Sequence, residues 1–159
     1  MLIALAIVFV LIQFVRPAKN NAGGVAHSLP MKYGVPPDVN VIIKPACLDC
    51  HSNNTKYPWY SQVQPIAWWM ANHVNEGKKH LNMSEFTNRR IAYQHHKFEE
   101  IVEMVRKKEM PLPSYTWFGL HPKADLTDEQ REILIAWAEA QMEMIASNYP
   151  ADSLVMKRK

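Results

Sequence analysis

The chain has two cysteines in 159 residues, Cys47 and Cys50, and His51 follows directly. This five-residue stretch, Cys47-Leu48-Asp49-Cys50-His51, constrains the fold more than any other. On a helix, positions i, i+3 and i+4 share one face. Two thiols and an imidazole are therefore expected on one face of one short helix, and the remaining chain must wrap whatever they hold.

The flanking sequence is helical in pattern. Spacing predicts a helix through "PIAWWMANHVNEG", with Pro65 in its first turn and Gly77 as its C-cap. Ile66, Trp69, Met70 and His73 share one face of it. In "FEEIVEMVRKKEM", Phe98, Ile101, Val102 and Val105 form an apolar stripe, with acids early and bases late as the helix dipole favours. Three prolines then break the pattern in "PLPSYTWFGLHPKAD". Thr127 and Gln130 read as a capping box opening a last helix, whose expected apolar face is Ile133, Leu134, Trp137, Ala138 and Met144. Strand alternation is absent. The expected fold is all-α, about four helices over residues 44–147, followed by a polar tail over 148–159.

Residues 1–16 differ in kind. From Met1 to Val15 the only polar side chain is Gln13, and Arg16 closes the run. Small residues suited to signal cleavage lie far beyond it, so the segment reads as an uncleaved N-terminal transmembrane signal anchor. Arg16 and Lys19 oppose an outward-facing domain, because positive charge favours the cytoplasmic side. Residues 17–43, with Gly23–Gly24 and Pro36–Pro37, read as an extended tether that either lifts the domain off a membrane or lies along its surface. The net charge of +3 is modest and the basic residues are scattered among acids, so no nucleic-acid surface is expected.

Four chemistries can use a lone Cys-x-x-Cys pair. A redox dithiol normally follows a strand in a βαβ unit, which the helical pattern lacks. A disulfide across two residues is strained. Zinc needs two more ligands, and the His spacings here do not match the usual His-x₃₋₅-His. Haem attachment fits best: one helical turn sets two thiols apart as the two vinyl groups of a porphyrin require, and the next residue offers an imidazole to the iron. Cys47 and Cys50 are then the thioether sites of one covalent haem c, and His51 is the axial ligand. For the second axial position Met110 stands out, at the end of a helix and the start of the rigid "MPLPSY" loop. Its rival is His73, with Met83 and His121 behind. Trp59 and Trp69 are candidate walls of the pocket, where excluding water would raise the iron's potential.

Together, Cys-x-x-Cys-His-Ser-Asn at 47–53, Tyr-Pro-Trp-Tyr at 57–60, Leu-Asn-Met-Ser at 81–84, and Met110-Pro111 ahead of His121-Pro122 resemble the haem-binding domain family of membrane-anchored, cytochrome c-like proteins of Bacteroidetes-type bacteria. The likeness spans about residues 40–140. It departs at Lys78–Lys79, where an Arg is expected, and at Met83, where an aromatic is usual. It implies a periplasm-facing monohaem domain behind an N-terminal anchor, with Cys47, Cys50 and His51 binding the haem and Met110 as a weaker carry-over. The expectation is an electron carrier at the bacterial inner membrane, serving a redox partner protein or membrane respiratory complex and performing no bond chemistry. The alternatives are a haem sensor or peroxidase-like enzyme with an open sixth site, and a zinc-stabilised structural subunit of an envelope complex.

Overall fold

A computed structural model describes residues 1–156; the last three residues of the expected polar tail lie outside them. The described residues form seven α-helices: α1 (Leu2–Ile12), α2 (Pro37–Ala46), α3 (Leu48–His51), α4 (Ile66–His80), α5 (Ile91–Arg106), α6 (Pro113–Thr116) and α7 (Asp128–Asn148). Among the described residues there is no strand, only two isolated bridges, Asn21 with Asn54 and His27 with Glu85. The all-α expectation holds.

The principal pair is α5 and α7. The Thr127–Gln130 capping box opens α7: the Thr127 hydroxyl accepts the Gln130 N–H at 3.2 Å, and the Gln130 side chain accepts the Thr127 N–H at 3.0 Å. The buried face of α7 is Leu134, Ile135, Trp137, Ala138 and Ile145. Ile133 and Met144, expected on that face, are exposed instead, because α7 turns Ile135 and Ile145 toward α5. The stripe on α5 is as expected, with Phe98, Val102 and Val105 buried and Ile101 packed against them. Phe98 sits at the centre of an edge-to-face cluster, 5.0 Å from Tyr33, 5.3 Å from Phe86 and 5.6 Å from Trp137 between ring centroids. The Trp137 indole N–H donates to the Gly34 carbonyl at 2.8 Å.

Residues 17–43 are only partly the extended tether expected. Residues 20–29 run along the domain: Thr55 N–H donates to the Asn20 carbonyl, Thr87 N–H to His27, and Leu29 N–H to Met83. Leu29 and Tyr33 are fully buried, and the Tyr33 hydroxyl donates to Gln94 Oε1 at 2.5 Å. Pro36–Pro37, read as a break, instead starts α2, because a proline at the first helical position lacks only an N–H that would be unbonded anyway.

The N-terminal apolar run forms a helix shorter than its sequence. α1 has eleven residues, all lacking burial. At ~1.5 Å per residue it reaches about 16 Å, against ~30 Å of hydrocarbon. Among the described residues no helix is long and apolar enough to cross a membrane. The helix stops where polar groups compete for its backbone. Gln64, fully buried, donates its N–H to Gln13 Oε1 at 2.9 Å and its side-chain amide to the Val15 carbonyl at 2.7 Å. Trp68 Nε1 donates to the same carbonyl at 3.0 Å, and Arg16 bonds the Gln62 carbonyl. The chain is pinned to the start of α4 just where the apolar run ends.

Candidate functional site

Pro45 lies in the last turn of α2, and the chain turns at Cys47 before the single turn of α3. The His51 N–H donates to the Cys47 carbonyl at 2.9 Å, closing that turn. Cys47 has φ −123° and ψ −44°, so it precedes the helix rather than sharing its face. As a result Cys50 and His51 line a cavity of about 620 Å³, while Cys47 packs beside them against the hydrophobic core. Cys47 and Cys50 are not joined as a disulfide. Burial, with Cys50 nearby, pushes the Cys47 thiol up to about 12; burial and Asp49 push Cys50 up to about 11. Both stay protonated near neutrality.

The imidazole of His51 is aimed by backbone. Its Nδ1 lies 2.9 Å from the Gly77 carbonyl and 2.9 Å from the Leu81 carbonyl. Carbonyls only accept, so Nδ1 carries the proton and the Nε2 lone pair is left for a metal. Burial lowers the His51 pKa against the opposing pull of those two carbonyls, which favours the neutral, ligating form. Gly77 lies in the last turn of α4 and Leu81 caps it; the Gly77 carbonyl also accepts the Leu81 N–H at 2.9 Å, so it serves two donors.

Gly77 is therefore not the C-cap that the sequence suggested. α4 continues to His80, with Lys78, Lys79 and His80 in its last turn. A side chain at Gly77 would bring its Cβ to 2.7 Å from the Cys50 carbonyl oxygen. The glycine lets α3 lie directly on α4. The run of bases after Gly77 was the available signal that the helix goes on. Lys78, one of the departures noted above, reaches Asn20 Oδ1 at 2.6 Å, and Met83, the other, is buried and donates its N–H to the His51 carbonyl at 2.7 Å.

Ile66, Trp69, Met70 and His73, which the spacing puts on one face of α4, all line the cavity. Met110 lines it from the loop after α5, and Trp59 and Tyr60 from the turn Trp59–Gln62. Five of the six cofactor-binding candidates thus meet at one cavity, with Cys47 adjacent. The His73 Nδ1–H donates to the Trp69 carbonyl at 3.0 Å. Met83 belongs to the core and His121 pairs with Tyr60, so neither lines the cavity. In the "SNNTKYPWY" run, Ser52, Asn53 and Tyr57 bond the 20–23 segment and only Thr55, Lys56, Trp59 and Tyr60 line the cavity. Sequence reasoning missed Leu112, Tyr115, Trp117 and Phe118, which line the cavity along the segment after Met110.

The lining suits a flat, largely apolar cofactor. Its volume lies within the ~300–1,000 Å³ of small-molecule sites, and its exposed surface is mostly apolar, with Asp49, Lys56, Glu76 and His80 among the polar residues that line it. A protein-only metal centre is not formed: among the described residues no group of three or more His, Cys, Asp or Glu could hold an ion. The zinc alternative thus lacks its remaining ligands.

The sequence profile of the haem-binding domain family matches residues 7–140. No curated protein and no solved structure matches the chain significantly.

Proposed function

The chain belongs to the haem-binding domain family, and from that premise we propose that it is a monohaem c-type cytochrome that carries single electrons at a membrane surface. The observation that carries this reading is the His51 imidazole, held by two backbone carbonyls with its Nε2 directed away from them and beside Cys50 at the cavity. Cys47 and Cys50 would hold the haem as thioethers, with His51 and Met110 as axial ligands. When bound, haem supplies a one-electron iron centre.

The chain's own residues do the rest. The Gly77 and Leu81 carbonyls hold the proton on Nδ1 and raise the basicity of His51. Buried Met70 and the exposed rings of Trp59 and Trp69 would cover apolar surface of the bound group and so limit its contact with water. Met110 is favoured over His73 because His73 lies one turn before Gly77 on α4, the helix that already holds His51, whereas Met110 enters from a separate segment. The apolar α1, rooted at the start of α4, would hold the domain at the periplasmic face of the bacterial inner membrane by inserting into lipid rather than spanning it. A membrane oxidoreductase is the expected redox partner, since anchoring both raises their effective concentration.

Protein matured in a host that attaches haem c should give a c-type pyridine haemochrome spectrum and retain haem on a denaturing gel. A chain that carries no covalent haem under those conditions sinks the proposal. Met110→Ala should abolish the near-infrared sulfur-to-iron band of the oxidised protein; an unchanged band would transfer the sixth position to His73.

A further inference from the structure

The segment that presents Met110 is tied down at both ends by groups outside it. At its start, Arg131 on α7 donates from Nη1 to the Met110 carbonyl at 2.8 Å and to the Val105 carbonyl at 3.2 Å. The Met110 N–H also donates to the Met104 carbonyl at 3.2 Å. At its end, on α6, the Tyr115 hydroxyl donates to Asp49 Oδ2 at 2.7 Å. Asp49 is one of the two residues between the cysteines, so this bond joins α3 directly to the Met110 segment.

The Asp49 carboxylate is itself fixed. Its Oδ1 accepts the Lys56 N–H at 3.1 Å, and its carbonyl accepts the Thr55 hydroxyl at 2.6 Å. Tyr115 is also held from behind. Its ring stacks on His121 at 3.9 Å between centroids and 15° between planes, and the His121 Nε2 pairs with the Tyr60 hydroxyl. A phenol donating to an ionised carboxylate makes one of the stronger protein hydrogen bonds. Nothing else among the bonds of residues 111–115 ties this segment to α3.

We propose that Asp49 and Tyr115 form a latch that holds the Met110 segment at the cavity it shares with His51, making both positioning residues for the sixth ligand. A thioether is a weak ligand, and its occupancy depends on how little freedom its carrier has. With the latch closed, the Met110 side chain competes effectively with small external ligands. With it broken, the segment swings more freely and an external ligand displaces Met110 more readily. The inference rests on Met110 being the axial ligand.

The test is imidazole binding to the oxidised full-length haem protein, followed by its visible spectrum, together with the near-infrared sulfur-to-iron band. Tyr115→Phe removes one hydroxyl and keeps the ring stacked on His121. Asp49→Asn keeps the shape and removes the charge. Each should raise the apparent imidazole affinity about tenfold, the ratio expected for losing one charge-assisted hydrogen bond, and weaken the band. The double variant should add little to either single change, since both act on the same bond, Tyr115→Phe by removing it and Asp49→Asn by removing its charge. Asp49→Glu, which keeps a carboxylate, should restore part of the wild-type behaviour. Met110→Ala is the reference: it should lose the band entirely and bind imidazole more tightly than any latch variant. Loss of the band in Met110→Ala with wild-type imidazole affinity in both latch variants overturns the latch and leaves the ligand assignment standing. A band that survives Met110→Ala overturns both. Because Tyr115→Phe and Asp49→Asn change opposite partners, misfolding of one, seen as lost helicity, still leaves the other to decide.

Discussion

Phe98 and Phe118 mark two regions built on opposite terms. Around Phe98 the aromatic rings face one another and close the space between α5, α7 and the 29–46 segment, with Phe98, Phe86 and Tyr33 at 0% exposure. Around the cavity the aromatics face a space of about 620 Å³, and Phe118 is 96% exposed. Phe118 also has φ +55°, a left-handed conformation that costs a non-glycine residue of order 1 kcal/mol, and Gly119 follows at φ +67°. The first region is stabilised by its own packing. The second places apolar groups where packing within the chain does not reward them, which is how a binding surface differs from a core.

That contrast can be broken or sharpened by substitution. The largest effect should come from Phe98→Ala, which removes the shared partner of three rings and should cost about 3–5 kcal/mol in urea unfolding. A cost below ~1 kcal/mol would mean that the cluster is not the stabilising centre. Gly77→Ala should come next. The new methyl meets the Cys50 carbonyl, and such overpacking costs about 1–3 kcal/mol. Unlike Phe98→Ala, it should also lower the haem-to-protein ratio of the purified chain, because it displaces α3. Equal haem content in Gly77→Ala and the wild type would show that the α3–α4 contact does not shape the site. Thr127→Ala should cost about 1 kcal/mol by removing the helix cap of α7, with haem content unchanged. The smallest effect carries the opposite sign. Phe118→Gly should relieve the left-handed backbone and leave stability unchanged or raise it by up to ~1 kcal/mol, measured as Tm. A clear loss of stability there would make this segment part of the core after all.

The sequence was most legible where the relevant residues lie within one turn of each other. The Thr127–Gln130 cap, the stripe from Phe98 to Val105 and the cavity face from Ile66 to His73 are all spacings of three and four, and all appear in the structure as read. Reading failed where one residue type serves two purposes. Pro36–Pro37 is a break in most contexts and a helix start in this one. Gly77 is a common C-cap and here a point of contact between two helices. Gln13 is the single polar residue in an apolar run, and nothing local says why. It is the residue that meets Gln64 at the foot of α1.

By itself the sequence determined an all-α chain, the Cys47–Cys50–His51 group, the ends of the longest helix and the set of candidates for a sixth ligand. These follow from chemistry and periodicity over a few residues. Only the tertiary structure decided that His51 donates from Nδ1 to Gly77 and Leu81, that Cys47 turns toward the core, that Tyr33 belongs to the Phe98 cluster, and that Tyr115 reaches Asp49. Each of these joins residues far apart in the chain. No local pattern encodes such pairs, because they arise from how completed helices pack.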